Sequence, residues 1–196
     1  SARAENMPKD RIEKAVQKAI GGNDEAVYEE IRYEGYGPGS IAIIIDVLTD
    51  NRNRTASEIR SNFNKNGGSM GEAGSLSFVF TRKGVIKFSA EQCGEDKFFE
   101  LAAEAGAEDI NSDIIEHTAI CIVEDFGNVR DSITAKIGDP TSAKLEWVPQ
   151  NLQSINEEQA EKLLKFIDLL EDNDDVQTVY SNAEISDEVM EKINNN

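Results

Sequence analysis

Ser40-Ile41-Ala42-Ile43-Ile44-Ile45-Asp46-Val47-Leu48 is a β-branched apolar run of the kind that makes a buried strand. A glycine-rich turn, Tyr33-Glu34-Gly35-Tyr36-Gly37-Pro38-Gly39, feeds it. Its far end runs into Thr49-Asp50-Asn51-Arg52-Asn53-Arg54-Thr55, with two arginines and two asparagines. Thr55 precedes Glu58 at the spacing of a capping box, which predicts a helix from Thr55 to Asn66 closed by Gly67-Gly68. Guanidinium forks and carboxamides at a strand-to-helix junction suit recognition of phosphate better than bond-breaking chemistry.

Working outward, the pattern predicts strands at Tyr28 to Gly35, Ile41 to Leu48 and Ser75 to Thr81, giving β-β-α-β around that helix. A second unit reads strand Gly84–Ser89, helix Asp96–Ala105, strand Ala107–Asn111, strand Glu116–Val123, helix Asn128–Ile137 and strand Ala143–Val148. That order is β-α-β-β-α-β, the split βαβ of ferredoxin-like folds. After Pro149 come a helix from Glu157 to Leu170, with Ala160, Leu163, Leu164, Ile167 and Leu170 on one face, and a strand from Asp175 to Ser181. These complete the first unit, and a short helix follows from Asp187 to Ile193. The expected fold class is α+β: two ferredoxin-like α/β layers, the second inserted in the first and preceded by the end of a helical domain. In residues, 1–22 is that helical remnant, with an apolar stripe over Lys9–Ile20; 23–81 with 150–196 form a discontinuous domain; and 82–149 are the insert.

The formal charge of −18 is unevenly placed. Ser1 to Val85 hold 12 basic and 12 acidic residues, whereas Ile86 to Asn196 hold 8 and 26. Acidic surface repels phosphate backbones, so nucleic acid is expected to meet the first part. The cationic candidates are Arg52, Arg54, Arg60 and Lys65, reinforced by Asn51 and Asn53; pairing of the arginines with Asp50 or Glu58 is the competing, structural explanation.

Other motifs fall away. The glycine run enters a strand, whereas a nucleotide cradle enters a helix. Gly67 to Gly71 read as a helix stop and a flexible loop. Phe78-Val79-Phe80 fits an RNA-stacking pattern poorly and is assigned to the core, with Trp147 and Tyr180 placed in the core or at a domain junction. His117, the only histidine, stands on a strand without a serine or cysteine at triad spacing. Asp172, Asp174 and Asp175 fail the calcium-loop template, because Val176 takes a ligand position and Gln177 that of the glycine. Cys93 and Cys121 lack metal-ligand spacing and are expected to be reduced. No catalytic residue, cofactor or metal is assigned. No apolar stretch approaches the roughly 20 residues of a membrane helix, and no signal peptide is seen, so a cytoplasmic location and no membrane partner are expected.

Met7-Pro8-Lys9-Asp10, Tyr33 to Gly39, Thr49 to Thr55, Gly67-Gly68, Lys83-Gly84 and Asp174-Asp175-Val176-Gln177-Thr178-Val179-Tyr180 stand in the order seen in the YebC/PmpR family. The chain resembles that family over nearly its whole length; Arg52-Asn53-Arg54 is the most specific word. The family includes the mitochondrial translational activator of cytochrome c oxidase subunit I. The resemblance implies a non-enzymatic regulator of gene expression with no small-molecule substrate. It takes one of two forms: a ribosome-associated translation factor that relieves stalling, or a DNA-binding transcriptional regulator. The charge balance favours ribosomal RNA and basic ribosomal proteins over duplex DNA as partners. An acidic-cleft α/β enzyme or scaffold and a dimeric interaction module are the rivals. Family members usually begin with a basic helical domain, and six residues stand before Met7 here.

Overall fold

The computed structural model describes residues 27–194. The helix expected at Lys9–Ile20 lies outside them. The described chain divides into two compact units, residues 82–146 and residues 27–81 with 147–194.

In the discontinuous unit, β1 (Glu29–Tyr36) pairs antiparallel with β2 (Ala42–Thr49) through a 3-10 turn at Pro38–Ser40. Gly39 in that turn has φ 72°, a left-handed conformation that glycine adopts without steric cost. Helix α1 (Arg52–Lys65) follows, then the two-residue β3 (Ser69–Met70), which pairs with β1. The sheet is completed from the far end of the chain: α4 (Glu157–Glu171) leads to β9 (Val176–Ser181), which pairs antiparallel with β2, for the order β3-β1-β2-β9. Asn156 and Gln159 close a reciprocal capping box at the start of α4. One face of the sheet is buried under both helices, with Ile43, Ile45 and Val47 of β2 against Ile59 and Phe63 of α1 and Leu163 and Phe166 of α4. Phe63 meets Phe166 edge-on at 5.0 Å between ring centres. The α4 stripe is rotated from the one expected, since Phe166 is fully buried and Leu164 only partly so. Short strands β8 (Gln153–Ser154) and β10 (Ala183–Glu184) pair parallel, and α5 (Asp187–Asn194) ends the described chain.

The contiguous unit is built from β4 (Phe80–Ser89), α2 (Glu95–Ala105), β5 (Asp109–Ser112), β6 (Glu116–Cys121), α3 (Phe126–Ile137) and β7 (Ser142–Pro149). Its sheet runs β5-β6-β4-β7, with the printed β4–β6 and β5–β6 pairs antiparallel. Ile86, Phe88, Phe98, Ala102, Ala119, Val129 and Ile133 fill its core. The fold is α+β, two ferredoxin-like layers with four-stranded antiparallel sheets.

Three local expectations are corrected. Helix α1 begins at Arg52 rather than Thr55, because Asn51 is its cap: the Asn51 side chain accepts from the Arg54 amide at 3.1 Å. The expected strand at Ser75–Thr81 is a turn as far as Val79, and β4 runs unbroken from Phe80 through the expected Gly84 start. Ser69-Met70 is a strand rather than a flexible loop.

The turn has an electrostatic cause. Glu34, almost fully buried on β1, accepts the amides of Gly74 at 2.9 Å and Leu76 at 2.7 Å and pairs with the Arg32 Nε at 2.9 Å. Arg32 in turn lies 4.3 Å over the Trp147 ring. Amides taken by a carboxylate cannot join a strand ladder. Leu76 and Phe80 then pack with Ala42 and Ile44 on the second face of the sheet, while Trp147 and Tyr180 close around them.

Candidate nucleic-acid interface

Helix α1 carries all six residues singled out from the sequence, on or beside its first turn and along its outer side. Its buried stripe is Thr55, Ile59 and Phe63. Opposite that stripe Asn53, Ser57 and Ser61 follow one another at four-residue spacing, with Asn64 beyond them. Arg60 and Lys65, both exposed, stand on either side of this strip, and Arg52 projects from the amino-terminal end. Asparagine and serine are weak helix formers, so an exposed face built from them is not the choice that stability alone would make. The first turn contains no acidic residue of its own.

The cations differ in their surroundings. Among the described residues, Arg52, Arg60 and Lys65 form no ion pair, whereas the Arg54 Nη2 donates to Asp175 Oδ2 at 2.7 Å and to Asp50 Oδ1 at 3.1 Å. Arg54 still exposes 46% of its side chain. Both hydrogens of its Nη2 are therefore committed, and it retains no free two-toothed fork; Arg52 and Arg60 keep theirs. Of the pairings weighed from the sequence, Asp50 is found and Glu58 is not: Glu58 instead accepts from the Asn173 side chain at 2.8 Å.

Asp175 was missed as part of this site. Its Oδ2 accepts from the Thr55 hydroxyl at 2.6 Å and the Thr49 hydroxyl at 3.0 Å as well as from Arg54. Thr49 and Thr55 are almost wholly buried. Burial raises the Asp175 pKa, but the hydrogen bonds from Thr55, Arg54 and Thr49 outweigh it and hold the carboxyl below its ordinary value. The same pairing raises the Arg54 pKa. Thus two words of sequence far apart in the chain, Thr49 to Thr55 and Asp174 to Tyr180, meet at one carboxylate oxygen.

Residues 28–183 match the family model described as the second and third domains of TACO1/YebC. The chain belongs to the TACO1/YebC family. It is similar to the crystal structure of a conserved hypothetical protein from Aquifex aeolicus, 39% identical with a TM-score of 0.79, over 93% of this chain and 75% of that one. The TACO1/YebC model bears a transcription-regulator name, and the family is regulatory rather than enzymatic in description.

The remaining motifs of this TACO1/YebC chain have structural surroundings. His117 is buried, stacked on Phe98 at 4.7 Å, with Nε2 2.9 Å from the Cys93 carbonyl and Nδ1 2.9 Å from the Ser112 hydroxyl. A carbonyl only accepts, so Nε2 carries a proton and donates to Cys93. Cys93 and Cys121 are free thiols. Phe80 is buried as expected for the aromatic run, but Phe78 is 68% exposed on the turn. Among the described residues no group of three or more His, Cys, Asp or Glu could hold a metal, and no helix is long and apolar enough to cross a membrane.

Proposed function

We propose that this protein is a non-enzymatic regulator of gene expression that contacts RNA through the outer side of α1 and acts as a ribosome-associated translation factor. One observation carries the reading: Arg52, Arg60 and Lys65 stand exposed and without ion pairs among the described residues, on an Asn/Ser-faced helix of a chain whose formal charge is −18. Asn53 lies among them, Asn51 fixes the helix start, and Arg54 supplies single N–H contacts from its uncommitted nitrogens. A small cationic face on an acidic body suits a short stretch of ribosomal RNA flanked by basic proteins. A duplex-DNA grip wants a cation at each phosphate contact along the site.

A second reading, a DNA-binding transcriptional regulator, is favoured by the name of the matching family model. The test is ribosome co-sedimentation of the protein against Arg52→Glu/Arg60→Glu, with duplex DNA binding followed across a salt series. These two positions are chosen because neither side chain takes part in an ion pair among the described residues. Ribosome association lost in the double variant, with weak and salt-sensitive DNA binding, supports the translation role. Tight, sequence-selective DNA binding without ribosome association overturns it in favour of the second reading.

A further inference from the structure

We infer that Asp175 is a positioning residue for the cationic face of α1, so that removing this negative charge weakens the hold on RNA instead of strengthening it. The inference rests on the RNA reading above. Its basis is the convergence of Thr55, Arg54 and Thr49 on Asp175 Oδ2, at 2.6, 2.7 and 3.0 Å. Asp175 is itself fixed by the backbone: its carbonyl accepts the Leu48 amide at 2.9 Å, and its own amide donates to the Asn173 side chain at 3.0 Å. One oxygen thereby joins the end of β2, the first turn of α1 and the lead-in to β9. The Thr49 hydroxyl also accepts the Asn51 amide at 2.9 Å, which extends the hold to the cap residue. Arg52 and Asn53 ride on that turn. Loosening it lets the exposed side chains wander, and the ordering they then require on binding is subtracted from affinity.

Simple electrostatics gives the opposite sign. Asp175 sits within a salt bridge of a cationic patch, and neutralising it releases Arg54 and raises the local positive charge, which by counterion release alone tightens phosphate binding. The sign of one substitution therefore separates the two accounts. Asp50 is the internal control, because it touches Arg54 at 3.1 Å and takes no part in the threonine network.

The experiment measures the affinity of the fluorescently labelled full chain for purified ribosomes across a salt series. The variants are Asp175→Asn, Thr55→Val, Thr55→Ser, Asp50→Asn and Arg52→Glu/Arg60→Glu, each held below its own unfolding temperature. Asp175→Asn and Thr55→Val are expected to bind about tenfold more weakly, the scale of one lost charge-assisted contact. Their salt slopes are expected to be smaller by about one contact. Thr55→Ser keeps the hydroxyl and is expected to bind like the parent, while Asp50→Asn binds as tightly or more tightly. Thr55 is fully buried and cannot touch RNA, so its effect passes through the network it shares with Asp175, Thr49 and Asn51. If Asp175→Asn and Thr55→Val melt earlier but bind with unchanged affinity and salt slope, or bind more tightly, the inference is overturned while the RNA reading stands. If Arg52→Glu/Arg60→Glu binds ribosomes like the parent, or the parent does not bind, the RNA reading fails and takes the inference with it.

Discussion

Arg52 and Arg54 stand two residues apart on one helical turn, yet the first forms no ion pair among the described residues and the second is held by two carboxylates. Sequence composition separates them poorly, since the decisive partner, Asp175, lies 121 residues on. Arg52, Asn53 and Arg54 were legible because their side chains end in forks and amides beside a strand. Asp175 was not, because its role depends on two threonine hydroxyls brought together by strand pairing. Thr55, read as a helix cap, is instead an internal donor to Asp175. Replacing Thr55 with Val is expected to cost about 1.5–3 kcal/mol in urea unfolding, the range for a hydrogen bond to a charged group. The acid response follows from the lowered Asp175 pKa. A carboxyl whose folded pKa is depressed contributes stability above its unfolded value, about 3.9, and that stability is lost as pH falls through the folded value. The melting temperature is expected to fall more steeply below about pH 4 in the parent than in Asp175→Asn, in which this carboxyl no longer titrates; equal acid sensitivity would sink that assignment.

Elements were read well where periodicity and packing agreed, and badly where a side chain captured the backbone. Leu76, Phe78 and Phe80 alternate as strand residues do, and nothing local announces that Glu34, some forty positions earlier, takes the Gly74 and Leu76 amides. Truncating Glu34 to Ala leaves those amides and Arg32 without their acceptor. The expected cost is about 2–4 kcal/mol, read from the midpoint of chemical denaturation, with the Gly71–Val79 turn losing amide protection first. The glycines of the same region act through close approach. A Cβ on Gly35 would lie 2.6 Å from the Ser69 carbonyl oxygen and 2.8 Å from the Phe63 ring, so Gly35→Ala must push β3 or α1 off the sheet. About 1–3 kcal/mol of destabilisation is expected by the same measurement, the usual cost of overpacking. Gly67, whose Cβ would meet nothing within 4 Å, is the contrasting site: there the strain of φ 75° alone opposes alanine.

For the whole molecule, the two-layer order was legible because the helices and strands of the 82–146 unit have their own periodicity and both helices have a glycine stop, at Gly106 with φ 95° and Gly138 with φ 94°. The charge asymmetry was legible too, and it bounds the salt dependence expected of the proposed RNA contact. With three cations of α1 (Arg52, Arg60 and Lys65) free of ion pairs among the described residues, the salt slope of RNA binding is expected near −2, at about 0.7 per phosphate contact on a single strand. A titration of ribosome affinity against salt checks it, and a slope several-fold steeper would move the contact surface elsewhere. The connectivity carries a further, kinetic consequence. β2 ends at Thr49 and its partner β9 begins at Val176, so the discontinuous sheet cannot finish until the residues between them have been made. The contiguous unit depends on no later segment, and β4 and β7, on which the chain enters and leaves it, are neighbours in its sheet. Once formed, it brings residues 81 and 147 together and turns a long loop closure into a short one. Pulse-labelled hydrogen exchange during refolding is expected to protect β4 to β6 before β9 pairs with β2, so that α1 acquires its Asp175 anchor only after the contiguous unit has folded.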